Sequence, residues 1–254
     1  MNNLLKSFPT LNYDYNPKLR DEFVKSKAIL LPNKSKVLDV SAGTKPYKDF
    51  FSHCIYHSHE FKGNNTIDDT FRREDVSNKQ HDFYSEIQNI PVENDSYDFI
   101  LCTEVFEHIP EPINAMQELI RICKPNGKIL ITAPFTSGIH QEPYHFYSGF
   151  SPFFYNYLKE KFNLKISDFK SQGNLFLLQN QEIKRCLSFT HPRIVSSREN
   201  LNTFQQIKLF LHNYTLHLFK LSENNFNQYD KNNMLTSCGD INQFSIGYCV
   251  LYEK

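Results

Sequence analysis

The chain has no tryptophan, only eight glycines in 254 residues, and no excess of either charge, with 28 Lys and Arg against 28 Asp and Glu. A formal net charge of zero removes the electrostatic case for nucleic acid as the main partner, because proteins that track a phosphate backbone carry clustered positive charge. No segment has the length and apolar character of a membrane span, and Met1 to Tyr15 lacks the apolar core of a secretory signal, so the expectation is a cytoplasmic protein. Cys-x-x-Cys pairs are missing as well. The six cysteines (Cys54, Cys102, Cys123, Cys186, Cys238, Cys249) are scattered, which fits neither a zinc site nor a dense disulfide framework. Several fall in apolar runs, where a reduced thiol packs as a small hydrophobe. Internal repeats and long low-complexity tracts are also absent.

What is present is a core-forming chain: 40% apolar residues, with 23 Phe and 14 Tyr, enough for one large domain or one domain with a substantial insertion. Its most informative stretch is Val37-Leu38-Asp39-Val40-Ser41-Ala42-Gly43-Thr44-Lys45-Pro46-Tyr47. An apolar run that breaks into a small-residue turn reads as a buried parallel strand feeding a tight loop. In an open α/β sheet a nucleotide-like ligand lies beyond the carboxyl end of such a strand, and Glu60, about 20 residues on, suits a ribose. Gly-x-Gly-x-x-Gly does not follow this strand, which counts against a dehydrogenase.

The pattern predicts a helix from Asn16-Pro17 to about Leu30, a first strand at Val37–Val40, a crossover helix starting at Pro46–Phe51, and a second strand near Cys54–Glu60. Lys62 to Lys79 reads as a polar loop, and His81–Tyr84 as a short third strand. Tyr97–Cys102 is the fourth strand. Apolar residues at helical spacing over Glu111–Cys123 give the next crossover helix, ended by Lys124-Pro125-Asn126-Gly127 with Gly127 suited to positive φ. Lys128–Ala133 is the fifth strand, Pro152–Lys161 a helix, Leu164–Phe169 a strand and Phe244–Tyr252 the last strand. Between them, Leu201, Phe204, Ile207, Leu211, Tyr214, Leu218 and Leu221 recur at three- and four-residue spacing, an amphipathic helix that would cap the site, form a dimer contact or lie on a membrane surface. The alternation implies a doubly wound, mainly parallel α/β sheet with a helical insertion before its last strand.

The ordered series Asn94-Asp95-Ser96-Tyr97-Asp98-Phe99-Ile100-Leu101-Cys102-Thr103-Glu104-Val105-Phe106-Glu107-His108-Ile109-Pro110, then a helix, then Lys124-Pro125-Asn126-Gly127-Lys128-Ile129-Leu130-Ile131-Thr132-Ala133-Pro134, resembles the class I S-adenosylmethionine-dependent methyltransferases, in particular their type 11 group. The resemblance implies a Rossmann-like seven-stranded fold in a single domain: an N-terminal helical segment over 1–33, a cofactor-binding core over 34–172, a helical insertion or cap over 173–240 and a final strand in 241–254. It implies that Asp39, Ser41, Ala42 and Gly43 approach the amino-acid part of S-adenosylmethionine, that Glu60 takes the ribose hydroxyls, that Glu86 and Ile87 meet the adenine, and that Thr103 and Glu104 line the cofactor near its methyl. Ser41 and Lys45 replace two glycines usual in this loop, although a Lys-Pro-Tyr variant is familiar in the group.

Relatives often carry His-x-x-Pro-x-Asp-Phe-x-Arg after the fifth strand, matched here by His140-Gln141-Glu142-Pro143-Tyr144-His145-Phe146-Tyr147-Ser148, with His145 and Ser148 as departures. Tyr144 and His145 are thus expected at the substrate. His140 is the first candidate for a catalytic base and His108 the second. The alternatives are a loop-stabilising hydrogen bond for His140 and a turn-capping role for His108. His53, His57 and His59 could be taken for metal ligands, but they straddle a loop and a strand whose alternate residues face opposite ways, so no metal is expected. The resemblance implies methylation of a small-molecule or glycan-type acceptor. The rival readings are a catalytically inactive binding or scaffold subunit, motivated by Ser41, Lys45, His145 and Ser148, and a macromolecular methyltransferase, which the neutral charge opposes.

Overall fold

The computed structural model describes residues 15–61, 80–190 and 245–254, together with scattered positions between 202 and 218. Seven strands form one sheet: β1 (Lys36–Val40), β2 (Ile55–Glu60), β3 (Phe83–Tyr84), β4 (Tyr97–Thr103), β5 (Cys123–Pro134), β6 (Lys165–Ser171) and β7 (Gly247–Glu253). Their order is β3-β2-β1-β4-β5-β7-β6. The first five pair in parallel, and β7 runs antiparallel to both β5 and β6. The chain winds outward from β1 to β3 and then returns to lay β4 beside β1, so the strand order reverses between those two strands. A crevice opens there at the carboxyl ends.

Successive residues of the central strands point to opposite faces, and both faces are apolar. Leu38, Val40, Ile100, Cys102, Ile129 and Ile131 join one core with Met116 and Leu119 of α2 (Pro112–Ile122) and Tyr155 and Leu158 of α3 (Pro152–Phe162). Val37, Phe99, Leu101 and Leu130 join the other with Phe23 and Val24 of α1 (Tyr15–Ala28) and with Phe51. Each such side chain contributes about 1.5–3 kcal/mol by leaving water. A strand buried on both sides explains why β1 and β4 read as apolar runs rather than alternating ones.

Several boundaries differ from expectation. The helix predicted from Pro46 is only a 3-10 turn, Lys48–Phe51, because β2 begins at Ile55 and leaves just Ser52, His53 and Cys54 for the connection. Lys124–Gly127 is not a turn between elements but part of β5. Asn126, not Gly127, takes the left-handed backbone there, with φ 63°. Gly127 is needed for space, since a Cβ at that position would lie 2.7 Å from Cys123 Sγ and 2.8 Å from the Lys124 carbonyl oxygen. The first helix ends at Ala28 rather than Leu30, β3 keeps only Phe83–Tyr84, β6 runs on to Ser171, and the last strand starts at Gly247. Lys62–Lys79, Cys238, Phe244 and both ends of the Leu201–Leu221 helix lie outside the described residues.

The chain divides into two compact units, residues 16–172 with 247–254, which hold the sheet, and residues 173–246 with 1–15. In the second unit α4 spans Leu175–Thr190, its first turn closed by the Leu177 N–H donating to Asn174 Oδ1 at 3.1 Å. The described positions between 204 and 218 are helical, and Phe204, Ile207, Leu211, Tyr214 and Leu218 are exposed along them. No helix among the described residues is long and apolar enough to cross a membrane.

Candidate active site

Asp39 is the next-to-last residue of β1 and is 1% exposed. Its carboxylate accepts the Tyr56 hydroxyl at 2.6 Å, and no cation is paired with it among the described residues. Burial pushes its pKa up to about 7; the Tyr56 hydrogen bond and the Lys45 charge work against that rise and the Glu60 charge adds to it. The chain then turns through three left-handed residues, Ser41 (φ 53°), Gly43 (φ 53°) and Lys45 (φ 60°). The two positions where the family pattern has glycine therefore keep a glycine-like backbone while carrying side chains.

The turn is fastened to the end of β2. The Ala42 N–H donates to the His59 carbonyl at 3.0 Å, and the Ser41 N–H reaches His59 Nδ1 at 3.4 Å. His59 Nε2–H donates to the Ser85 carbonyl at 3.0 Å. Burial holds His59 neutral, its pKa lowered to about 4. Gly43 N–H and Phe61 N–H donate to the two oxygens of Glu60 at 2.8 and 3.0 Å. These bonds fix the orientation of the carboxylate at the end of β2. A Cβ added at Gly43 would meet none of the described residues within 4 Å.

Beyond β3, Glu86 is exposed while Ile87 is buried in the α2-side core. Thr103 ends β4, and Glu104 follows with φ 53°. Glu104 is held from two directions: Thr132 Oγ1 donates to Oε1 at 2.8 Å, and Arg20 of α1 lies 3.3 Å from Oε2. Arg20 also donates to the Tyr47 hydroxyl at 2.8 Å, and that hydroxyl donates to Asp21 at 3.0 Å. Sequence reasoning missed Arg20 and Tyr47. An arginine on a helix and a tyrosine after a turn carry no local signal for this link.

The remaining predicted residues lie over the ends of β4 and β5. His108 Nδ1–H donates to the Tyr144 carbonyl at 2.6 Å, and burial lowers its pKa to about 4. His140 is exposed, and its Nδ1–H donates to the Gly138 carbonyl at 2.8 Å. The bond of His140 lies within its own loop, whereas that of His108 reaches the segment after β5 rather than the turn that follows it, and both rings have a second nitrogen. The ring centroids of His140 lie 4.8 Å from His108 and 4.7 Å from His145. The Tyr144 ring meets Phe61, next to Glu60, edge-on at 5.7 Å. His53, His57 and His59 instead bond separately to the Leu31 carbonyl, the Tyr97 hydroxyl and Ser85.

Comparisons with known proteins follow this geometry. The sequence matches the family described as a methyltransferase domain over residues 12–207, well over half of the chain. No curated protein matches it. Among solved structures it is similar to a protein provisionally assigned as a sarcosine dimethylglycine methyltransferase of Galdieria sulphuraria, at 20% identity and a TM-score of 0.51, covering 92% of this chain and 85% of that one. It is also similar to the [4+2]-cyclase SpnF, at 13% identity and a TM-score of 0.50, covering 92% of this chain and 79% of that one. At such identities the likeness is one of fold, and the two descriptions name different reactions.

Proposed function

The chain belongs to the methyltransferase-domain family, with its class I fold, and on that premise we propose that it methylates an oxygen or nitrogen of a small-molecule or glycan-type acceptor. S-adenosylmethionine is the cofactor, and when bound it supplies a methyl on a positively charged sulfur, an electrophile that needs alignment more than acid activation.

The residues present fit that group. Asp39 supports the reading most directly: it is a carboxylate buried at the strand-order reversal that makes no ion pair among the described residues, the Lys45 charge acting on it only from a distance, and a ligand ammonium would complete it. Ser41, Ala42 and Gly43 offer a small-residue loop in which a Cβ at Gly43 would meet none of the described residues within 4 Å. Glu60 stands ready oriented for ribose hydroxyls, Glu86 and Ile87 for adenine, and Thr103 and Glu104 for the methyl end. On the acceptor side, His140 and His108 each present Nε2 as a lone pair, because Nδ1–H is engaged, and Tyr144 and His145 line the same loop. A neutral imidazole is the right group to accept a proton from an acceptor hydroxyl or ammonium.

Calorimetric titration with S-adenosylmethionine and S-adenosylhomocysteine tests this. Micromolar binding is expected, weakened at least about tenfold in Glu60→Ala by loss of the ribose hydrogen bonds. Absence of binding by the unaltered chain would overturn the reading and leave a binding or scaffold role for the fold.

A further inference from the structure

Glu107 carries a buried oxygen that the methyl-transfer reading leaves unused. Its residue is 1% exposed, and Oε2 has no hydrogen-bond partner among the described residues. Leaving such an oxygen unpaired costs at least about 1–3 kcal/mol. Oε1 lies 3.7 Å from His108 Nε2, too far for a hydrogen bond.

The protons of the nearby histidines are committed elsewhere. A carbonyl can only accept, so the Tyr144 carbonyl fixes the proton of His108 on Nδ1, and the Gly138 carbonyl does the same for His140. Ser137 Oγ donates its one proton to the Ser148 carbonyl at 2.9 Å, so it accepts from His145 Nε2 at 3.1 Å. The lone pairs left over are Nε2 of His108, Nε2 of His140 and Nδ1 of His145. One ligand atom from each of Glu107, His108 and His140 lies within 4.8 Å of the others, and the His145 ring centroid lies 4.7 Å from that of His140; a cation is what such a group lacks.

We propose that Glu107, His108 and His140, with His145 as a further donor, bind a divalent first-row metal cation of the zinc, iron or manganese type. The ligand atoms of Glu107, His108 and His140 all lie within 4.8 Å of one another. Donors sharing one tetrahedral cation at about 2.1 Å stand roughly 3.4 Å apart, so the group closes with a small rotation of the exposed His140 ring. Two imidazoles and a carboxylate are a common donor set for these ions, and imidazoles held by backbone carbonyls through their other nitrogen have the usual supporting arrangement. The two halves of the site are joined in advance. Phe146 and Tyr147 N–H both donate to the Glu107 carbonyl, at 2.9 and 3.2 Å, and the Tyr147 hydroxyl donates to the Pro110 carbonyl at 2.8 Å. Cation binding follows from this cluster alone. Its use to hold the acceptor oxygen and lower its proton affinity rests on the methyltransferase reading above, and it replaces the base role given there to His108 and His140, because a coordinated nitrogen has no lone pair left for a proton.

The test uses the full chain, stripped with a chelator and without any methyl donor, titrated with Co2+ and followed by visible ligand-field absorption, then with Zn2+ as competitor. One equivalent of Co2+ taken up and displaced by Zn2+ is expected. His140→Ala and Glu107→Gln should each weaken uptake at least about tenfold, and His57→Gln should leave it intact. His140 is exposed, so its variant keeps the melting temperature and remains informative if Glu107→Gln misfolds. No uptake, uptake indifferent to His140→Ala, or uptake lost in His57→Gln would overturn the proposal. S-adenosylmethionine binding, measured separately on the metal-free chain, keeps failure of this site distinct from failure of the proposed function.

Discussion

Ser41 and Lys45 each occupy a left-handed backbone, φ 53° and 60°, that costs an L-residue about 1–2 kcal/mol relative to glycine. Glycine recovers only part of this, because it loses about 0.5–1 kcal/mol more backbone entropy on folding. Ser41→Gly is therefore expected to raise stability by about 0.5–1 kcal/mol, or roughly 1–4 °C in melting temperature, read by differential scanning calorimetry. The bond from Ser41 to His59 uses the backbone N–H and survives the change; a lower melting temperature would assign the serine hydroxyl a structural role. The sequence marks these two positions as departures from a glycine pattern but cannot reveal that the backbone keeps the glycine shape. The histidines show the opposite limit of local reading. His53, His57 and His59 are close in sequence but each bonds to a different partner, whereas His108 lies far along the chain from His140 and His145 and meets them because backbone bonds join the segment after β5 to Glu107.

At the level of elements, the end of β2 is held by His59, which links the turn after β1 to the segment after β3 through its two nitrogens. Its pKa is lowered from 6.5 to about 4 in the folded chain. Between those values the unfolded chain takes a proton that the folded chain excludes, so the contribution of His59 to stability is complete above pH 6.5 and falls as the pH drops towards 4. The loss is about 3 kcal/mol at roughly 1.4 kcal/mol per unit. Asp39, with its pKa raised to about 7, acts the opposite way over the same window, so the His59 contribution is read as a difference: the urea midpoint of His59→Gln should gain on that of the unaltered chain as the pH falls from 6.5 towards 4. β1, β4 and α2 were legible because their signals are local, an apolar run or a helical spacing. Lys48–Phe51 was not, because the length of a connection depends on where the next strand must start. Glu118 shows why a charge can hide in a helix: it is 7% exposed, accepting the Ile90 N–H at 2.8 Å and paired with Arg121 at 2.7 Å, partners that no periodicity announces.

For the molecule as a whole, alternating strands and helices gave the mainly parallel sheet in advance, whereas the antiparallel pairing of β7 with β5 and β6 is set by long-range contacts. The last register pair of β6 and β7 is Ser171 with Tyr248, and the Gln172 N–H donates to the Gly247 carbonyl at 2.8 Å. The second unit therefore leaves and re-enters the sheet at neighbouring points. Replacing residues 173–246 by an Asn-Gly turn would close β6 and β7 as an ordinary hairpin. The shortened chain is expected to keep its α/β circular-dichroism spectrum and one cooperative thermal transition; aggregation or a non-cooperative melt would show that the sheet unit does not fold alone. Because the sheet already holds Gln172 and Gly247 together, the chain between them is a closed loop whose length hardly matters to its entropy. Each doubling of such a loop costs only about 0.6 kcal/mol. That junction is where a lineage could lengthen, trim or exchange a whole segment while Asp39 and Glu60 stayed in place.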